Sequence, residues 1–348
     1  MSIKRGVSLY SYQQEDFFGK MTWKDQLREV ALNLQGADGI EIINGCTVPG
    51  YPMPPESFFY EWNNEMARYG LKAVTIDTYT DTLQFRDHVM TYSEVLERIK
   101  YDLHLAKKMG FRNLRLSHNV PLKVVEAALP FAEELDVRMT NECDVKQQPF
   151  GSPVLDCVDA VISFIQRTGT KHYGLQTDMS QFQNKPSVVR IRAMMRASGK
   201  TPREAHDIAE ELFAMFGELS MDEIKAYTLE KYPVLMQGRF GPYRFHNNSP
   251  SILFKMLPYI FHMHGKFYDM TEIPGKPGQY EDRCLPYEEV FQILRTVNYS
   301  GYIHSEFEGQ RSQQDMGYEG LVDEVEQVRR HHEMMRRLSY DPLDNITL

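Results

Sequence analysis

The chain has 348 residues, a formal net charge of −9 and 42% hydrophobic residues. That length can bury one large core or two modest ones. The acidic balance speaks against a nucleic-acid surface, which needs a stripe of lysine and arginine, and no apolar run is long enough to span a bilayer.

The N-terminus runs from Met1-Ser-Ile-Lys-Arg-Gly6 straight into a strand pattern, with no signal-peptide core. The pattern predicts a first strand over 6–12. Thr22 reads as an N-cap for a helix over 23–34. Gly-Ile-Glu-Ile-Ile over 39–43 is short and apolar, as a buried parallel strand should be. A proline-rich loop over 49–55 leads to a helix ending near Gly70, and a third strand covers 71–76. A helix over 92–109 is closed by Gly110. Strands follow over 113–117, 137–142 and 172–178, separated by helices over 122–135 and 154–167.

The rhythm then breaks. From 179 to 248 there are helical patterns without a clear strand, including a capping-box start at Thr201-Pro-Arg-Glu204 and a short helix over 221–232. This reads as a helical insertion after strand six, a lid or a subunit interface. A helix over 249–257 returns the chain to a seventh strand. A helix over 286–297, an eighth strand over 302–308 and a terminal helix over 320–338 complete it. About eight strand–helix units in one 1–348 domain make an α/β fold of the (β/α)8 TIM-barrel type. The four cysteines, Cys46, Cys143, Cys157 and Cys284, contain no C-x-x-C and read as reduced thiols of a cytoplasmic protein.

The seventh strand is the stretch Tyr259-Ile-Phe-His-Met-His-Gly-Lys-Phe-Tyr-Asp-Met270. Its alternation points His262, His264 and Lys266 to one side. Buried imidazoles and amines need carboxylates, a metal or a ligand. Barrel chemistry sits at the C-terminal strand ends, and four consecutive strands offer a ligand there: Glu142, Asp178, His264 and Glu306. Three carboxylates and an imidazole in one mouth call for a divalent cation. The hard oxygen-rich set suits Mn²⁺ or Mg²⁺, with Zn²⁺, Co²⁺ and Fe²⁺ as the other candidates.

These residues carry a resemblance. Asn141-Glu142, Gly174-Leu-Gln-Thr-Asp178, His262-Met-His-Gly-Lys266 and His304-Ser-Glu-Phe-Glu308 resemble the xylose-isomerase-like barrel superfamily of ketose 3-epimerases, inosose dehydratases and endonuclease IV-type enzymes. The resemblance spans nearly the whole chain and implies one divalent metal, commonly Mn²⁺, on the four matching positions. Gly6-Val-Ser-Leu-Tyr-Ser-Tyr-Gln-Gln14, His264-Gly-Lys-Phe-Tyr268 and Ser305-Glu-Phe-Glu-Gly-Gln-Arg311 look most like the large (alpha) subunit of bacterial C-glycoside deglycosidases. That resemblance implies a hetero-oligomer with a small beta subunit. Two positions depart from the superfamily pattern. Gln181 stands where many members have a histidine, so a multi-metal nuclease site is not expected. Asp144 stands where many read Glu-x-His, so the base falls to Asp144 or to another group.

The reaction this implies is C-deglycosylation of a 3-oxo-C-glycoside: a proton is lost from C2 and the aromatic aglycone is eliminated. The alternative is an isomerase or 3-epimerase of a free ketose working through a metal-stabilised enediolate, with Glu142 and Glu306 as the opposed acids. A non-catalytic scaffold is the third reading, against which the intact ligand set speaks. Asp144, Lys266 and His118 are the candidates for proton transfer or for holding an enolate oxygen. His262, Glu308 and Arg311 are the candidate substrate contacts, and Arg311 would clamp an anionic or phenolic group. The aromatic residues after strands one and two, among them Tyr10, Tyr12, Phe17, Phe18, Trp23, Tyr51, Phe58 and Phe59, are read mainly as helix-to-barrel packing. His331 and His332 lie in a basic run and read as a solvated helix end.

Overall fold

The computed structural model describes residues 3–116, 120–143, 154–237, 242–243, 245, 247–310 and 322–339. Eight parallel strands close into a barrel in chain order: Lys4–Ser8, Ala37–Ile43, Lys72–Asp77, Asn113–Leu116, Arg138–Cys143, Tyr173–Asp178, Ile260–Phe267 and Tyr302–Phe307. The first strand pairs with the last, Gly6 opposite His304, which leaves the barrel sheet without a free edge. Helices between the strands face the barrel with apolar stripes, and one contiguous core includes Trp62, Leu103, Val125, Phe291 and Met335. The fold is a (β/α)8 barrel.

Local chemistry sets the element ends. Thr22, Thr91, Thr201 and Ser220 each cap a helix in a reciprocal capping box, with Asp25, Glu94, Glu204 and Glu223. Gly110 ends the helix Tyr92–Met109 at φ 82°, a left-handed conformation that glycine adopts without penalty.

Three expectations change. The first strand stops at Ser8, and Leu9–Tyr12 is a single 3-10 turn. The alternation continues past the strand because Leu9 and Tyr12 still pack inward, while Ser11 bonds to strand eight: its Oγ donates to the Ser305 carbonyl and accepts from the Phe307 N–H. The helix expected over 249–257 is broken into 3-10 turn, Leu253–Met256 and 3-10 turn, with Pro250 and Pro258 opening the two turns. His331 and His332 are not solvated. The apolar stripe of the helix Glu324–Ser339 turns them onto the barrel, where His331 bonds to Ser305 Oγ (2.8 Å) and Tyr287 Oη (2.7 Å) and His332 meets Arg5 (3.0 Å). Burial holds both rings neutral, and with the Arg5 charge it brings His332 down to about 3.

Between strands six and seven the chain forms helices Val188–Ala197, Pro202–Ala214 and Met221–Lys231. They carry their own buried cluster, including Ile191, Ile208, Leu212, Ile224 and Leu235. A short antiparallel ribbon, Met270–Glu272 with Tyr280–Asp282, follows strand seven and was not foreshadowed by any alternation.

The barrel interior leaves no room at two glycines. A Cβ on Gly6 would lie 2.4 Å from the Gly39 carbonyl and 2.5 Å from His304 Nε2; one on Gly39 would lie 2.6 Å from the Tyr302 ring. Gly6→Ala or Gly39→Ala is therefore expected to destabilise the fold by about 1–3 kcal/mol through overpacking. A thermal melt equal to wild type would show that the paired strands and the Tyr302 ring shift freely to admit a Cβ.

Candidate metal centre and active site

Strands five to eight each deliver one side chain to the same point. Parallel pairing sets Asp178 opposite His264. One ligand atom from each of Glu142, Asp178, His264 and Glu306 lies within 4.8 Å of the others, and all four residues are buried. His264 Nδ1 is the centre: Glu142 Oε1 is at 2.6 Å, Glu306 Oε2 at 2.9 Å and Asp178 Oδ2 at 3.8 Å.

The cluster gathers buried negative charge around one imidazole. Burial opposes charge on Glu142, but Arg115, His264 and Lys266 outweigh it and hold its carboxyl well below the usual range. Burial likewise opposes protonation of His264, and Glu306, Glu41 and Glu142 overcome it, raising its pKa well above the usual value. Two carboxylates within 3 Å of one ring nitrogen need a positive centre between them, a proton or a metal. Asp178 Oδ2 and Glu306 Oε2 are buried without a hydrogen bond of proper geometry, although both stand within ion-pair reach of Lys266. Converging buried carboxylate oxygens beside an imidazole nitrogen are what a hard divalent ion would bind, so the residues present fit one.

Lys266 stands beside the same carboxylates, its Nζ 2.7 Å from Asp178, 3.3 Å from Glu306 and 3.4 Å from Glu308. Burial lowers its pKa, and these acids more than reverse that, so the amine stays charged. The Lys266–Glu308 pair is the longest of these three. Glu308 is itself buried. His262 lies deeper in the barrel, fully buried, with Nε2 2.9 Å from Glu41 Oε2 and in contact with His304 Nδ1. Asp144, His118 and Arg311 lie outside the described residues.

Several site residues escaped the sequence reading. Glu41, from strand two, reaches across the barrel and accepts from His264 Nε2 at 2.8 Å while its other oxygen meets His262. Burial disfavours its charge, yet His264 and His262 keep it well below the normal carboxylate range. The Gln176 amide closes on the same His264 nitrogen at 2.6 Å. Arg115 on strand four bridges Asp77 (3.0 Å) and Glu142 (3.1 Å) and underlies the Tyr79 ring. The available signal was a lone charge inside an apolar run: Glu41 in Gly39-Ile-Glu-Ile-Ile43, and Arg115 in Asn113-Leu-Arg-Leu116.

No family model matches the chain. Over 350 residues it is 25% identical to the 3'-dehydrocarminate deglycosidase alpha subunit of Microbacterium sp., covering 96% of this chain and 94% of that one. It is 24% identical to a C-glycoside deglycosidase alpha subunit of Arthrobacter globiformis, covering 98% and 94%. The chain is thus similar to these deglycosidase alpha subunits over nearly its whole length. Its fold also superimposes on D-psicose 3-epimerase of Clostridium cellulolyticum H10, with a TM-score of 0.56 over 97% of this chain and 98% of that one, at 11% identity. At that identity the likeness concerns the barrel. Among the described residues, no helix of this relative of the alpha subunits is long and apolar enough to cross a membrane.

Glu41 faces the His264 nitrogen away from the acidic cluster, the place a carboxylate takes behind an imidazole that holds a metal. Glu41→Gln is expected to weaken metal binding by about 10–100-fold with the fold intact. A competition titration with a chelating dye reads this directly, and wild-type affinity in the variant would reduce Glu41 to a packing residue.

Proposed function

We propose that the chain is the catalytic alpha subunit of a carbon–carbon lyase that removes aromatic aglycones from 3-oxo-C-glycosides. The observation that carries this reading is the full-length similarity to deglycosidase alpha subunits, set on a barrel whose mouth holds a buried cluster of three carboxylates and an imidazole able to hold a cation. Glu142, Asp178, His264 and Glu306 would hold one divalent ion, Mn²⁺ being the first candidate. When bound, that ion would act as a Lewis acid toward the sugar carbonyl.

The chain's own groups then have defined tasks. A base takes the C2 proton, and the C2–H electrons become the C1=C2 double bond, conjugated with the 3-oxo group. The C1–aryl bond breaks, and its pair leaves with the aglycone carbon, which takes a proton. No oxidant and no water is consumed. Asp144, two residues past Glu142, and His118, just past strand four, are the proton carriers we assign. Lys266 holds the oxygen on which negative charge develops, since its amine stays charged in the dry mouth. Arg311 and Glu308 are assigned to substrate contact. His262, expected from the sequence as a substrate contact, is fully buried on Glu41 and His304 below the cluster, and we assign it a positioning role instead.

The relatives' designation as alpha subunits supports a hetero-oligomer with a smaller beta subunit. The helices after strand six, with a cluster of their own, are our candidate for the lid or the interface, and a cytoplasmic setting is part of the same reading. One observation favours a second reading. Glu142 and Glu306 flank His264 Nδ1 at 2.6 and 2.9 Å, and two opposed acids are what a ketose epimerase uses to move a proton across one carbon.

The deciding experiment incubates the purified chain with Mn²⁺ and a 3-oxo-C-glucoside, with and without a candidate small partner, and measures free aglycone by chromatography. Release that requires the partner supports the lyase and the hetero-oligomer together. Deuterium exchange into a free ketose from deuterated water, with no aglycone under any condition, would replace the lyase by the epimerase.

A further inference from the structure

At the end of the barrel opposite the carboxylate cluster, the strand starts enclose a cavity of about 790 Å³. Four cations stand in its wall. Lys4 opens strand one, Lys72 opens strand three, Arg138 opens strand five and Arg112 directly precedes strand four. Among the described residues, none of these four side chains forms an ion pair. Asp38, the single acid in the described lining, is engaged by the Tyr302 hydroxyl at 3.0 Å. Two of the cations rest on aromatic faces instead: Lys4 Nζ is 5.4 Å from the Tyr302 ring centre, and the Arg138 guanidinium carbon is 4.3 Å from that of Phe261. Burial first, and the Arg112 charge next, draw the Arg138 pKa below its usual value.

A chain of net charge −9 has thus gathered four cations without carboxylate partners around one concavity. Clustered like charges repel, and among the described residues only Asp38 in the lining and Asp136 beside Arg138 offset them, neither within ion-pair distance of the four. The volume is that of a small-molecule site. Guanidinium groups pair in bidentate fashion with carboxylates and phosphates, and cationic side chains over rings favour a flat ligand body. We propose that this cleft at the N-terminal face of the barrel binds a multiply charged organic anion with a planar body, separately from the chemistry at the mouth. Phosphates and carboxylates share the required chemistry.

The test is a fluorescence-anisotropy titration of the full chain, Mn²⁺-loaded, with a trisulfonated pyrene, a flat trianion. Saturable one-to-one binding is expected. It should weaken at least tenfold in Arg112→Gln/Arg138→Gln, weaken again as salt is raised, and be unchanged in Asp178→Asn, which reports on the mouth. Lys4→Gln/Lys72→Gln, at two exposed positions, guards against a fold defect in the arginine variant and should also weaken binding. Displacement by inorganic pyrophosphate would place the natural ligand among phosphates; displacement by a benzene tricarboxylate would place it among carboxylates. Absence of saturable binding, or affinity retained in both double variants, overturns the proposal and returns these side chains to solvated strand starts.

Discussion

Asp178→Asn is expected to lose metal and turnover together. The substitution keeps the shape of the side chain and one acceptor oxygen, so the Ser180 N–H that bonds to Asp178 Oδ1 at 2.6 Å retains a partner. What it removes is a charge from the group around His264. Loss of a partner behind a ligand weakens metal binding by about 10–100-fold, and loss of a ligand itself should exceed about 100-fold. Lys266 keeps Glu306 and Glu308 within 3.3 and 3.4 Å, so the fold should survive. Metal content after dialysis and aglycone release measured on one preparation check both halves. Full activity from a metal-free Asp178→Asn chain would end the metal hypothesis, and Glu142→Gln gives the same contrast from strand five.

The second large effect is expected at Lys266. Lys266→Met preserves length and apolar stem but removes the cation that faces Asp178, Glu306 and Glu308. Turnover should fall by about 10²–10³-fold, the usual result of deleting one preorganised group that stabilises developing negative charge. Stability should fall as well, by roughly 3–5 kcal/mol without metal, because three buried carboxylates are left facing one another. Added Mn²⁺ should restore much of the melting temperature and little of the rate. That split separates a catalytic amine from a merely structural one. A variant with wild-type turnover, or one whose rate recovers along with its stability, would remove Lys266 from the chemistry.

Period-two alternation made strand seven legible, because a strand with one face toward the barrel axis must sort its residues that way. The same logic placed Glu142, Asp178 and Glu306 at strand ends, and the structure brings them to His264. It failed where a residue's partner lies elsewhere in the sequence. Glu41 and His264 are 223 positions apart, and only barrel closure sets the carboxylate against the imidazole. His331 and His332 looked solvated because their helix is rich in arginine, yet the stripe through Val328 and Met335 decides which face turns inward. Arg115 stands out locally only as a lone charge in an apolar strand, and its partners Asp77 and Glu142 come from the neighbouring strands on either side.

By itself, then, the sequence determined the barrel, most of the strand and helix order with the Thr201–Glu204 capping box, and the identity of the four strand-end side chains, because these rest on local periodicity, local hydrogen bonding and the strand-end rule of barrels. The tertiary structure alone decided the Glu41–His264 contact, the triple pairing of Lys266, the burial of His304 against Gly6 and Gly39, and the cation-lined cleft at the far end. Those depend on which strands become neighbours when the sheet closes and on which charges then share a space shielded from water. That information is carried by the whole chain and by no single segment of it.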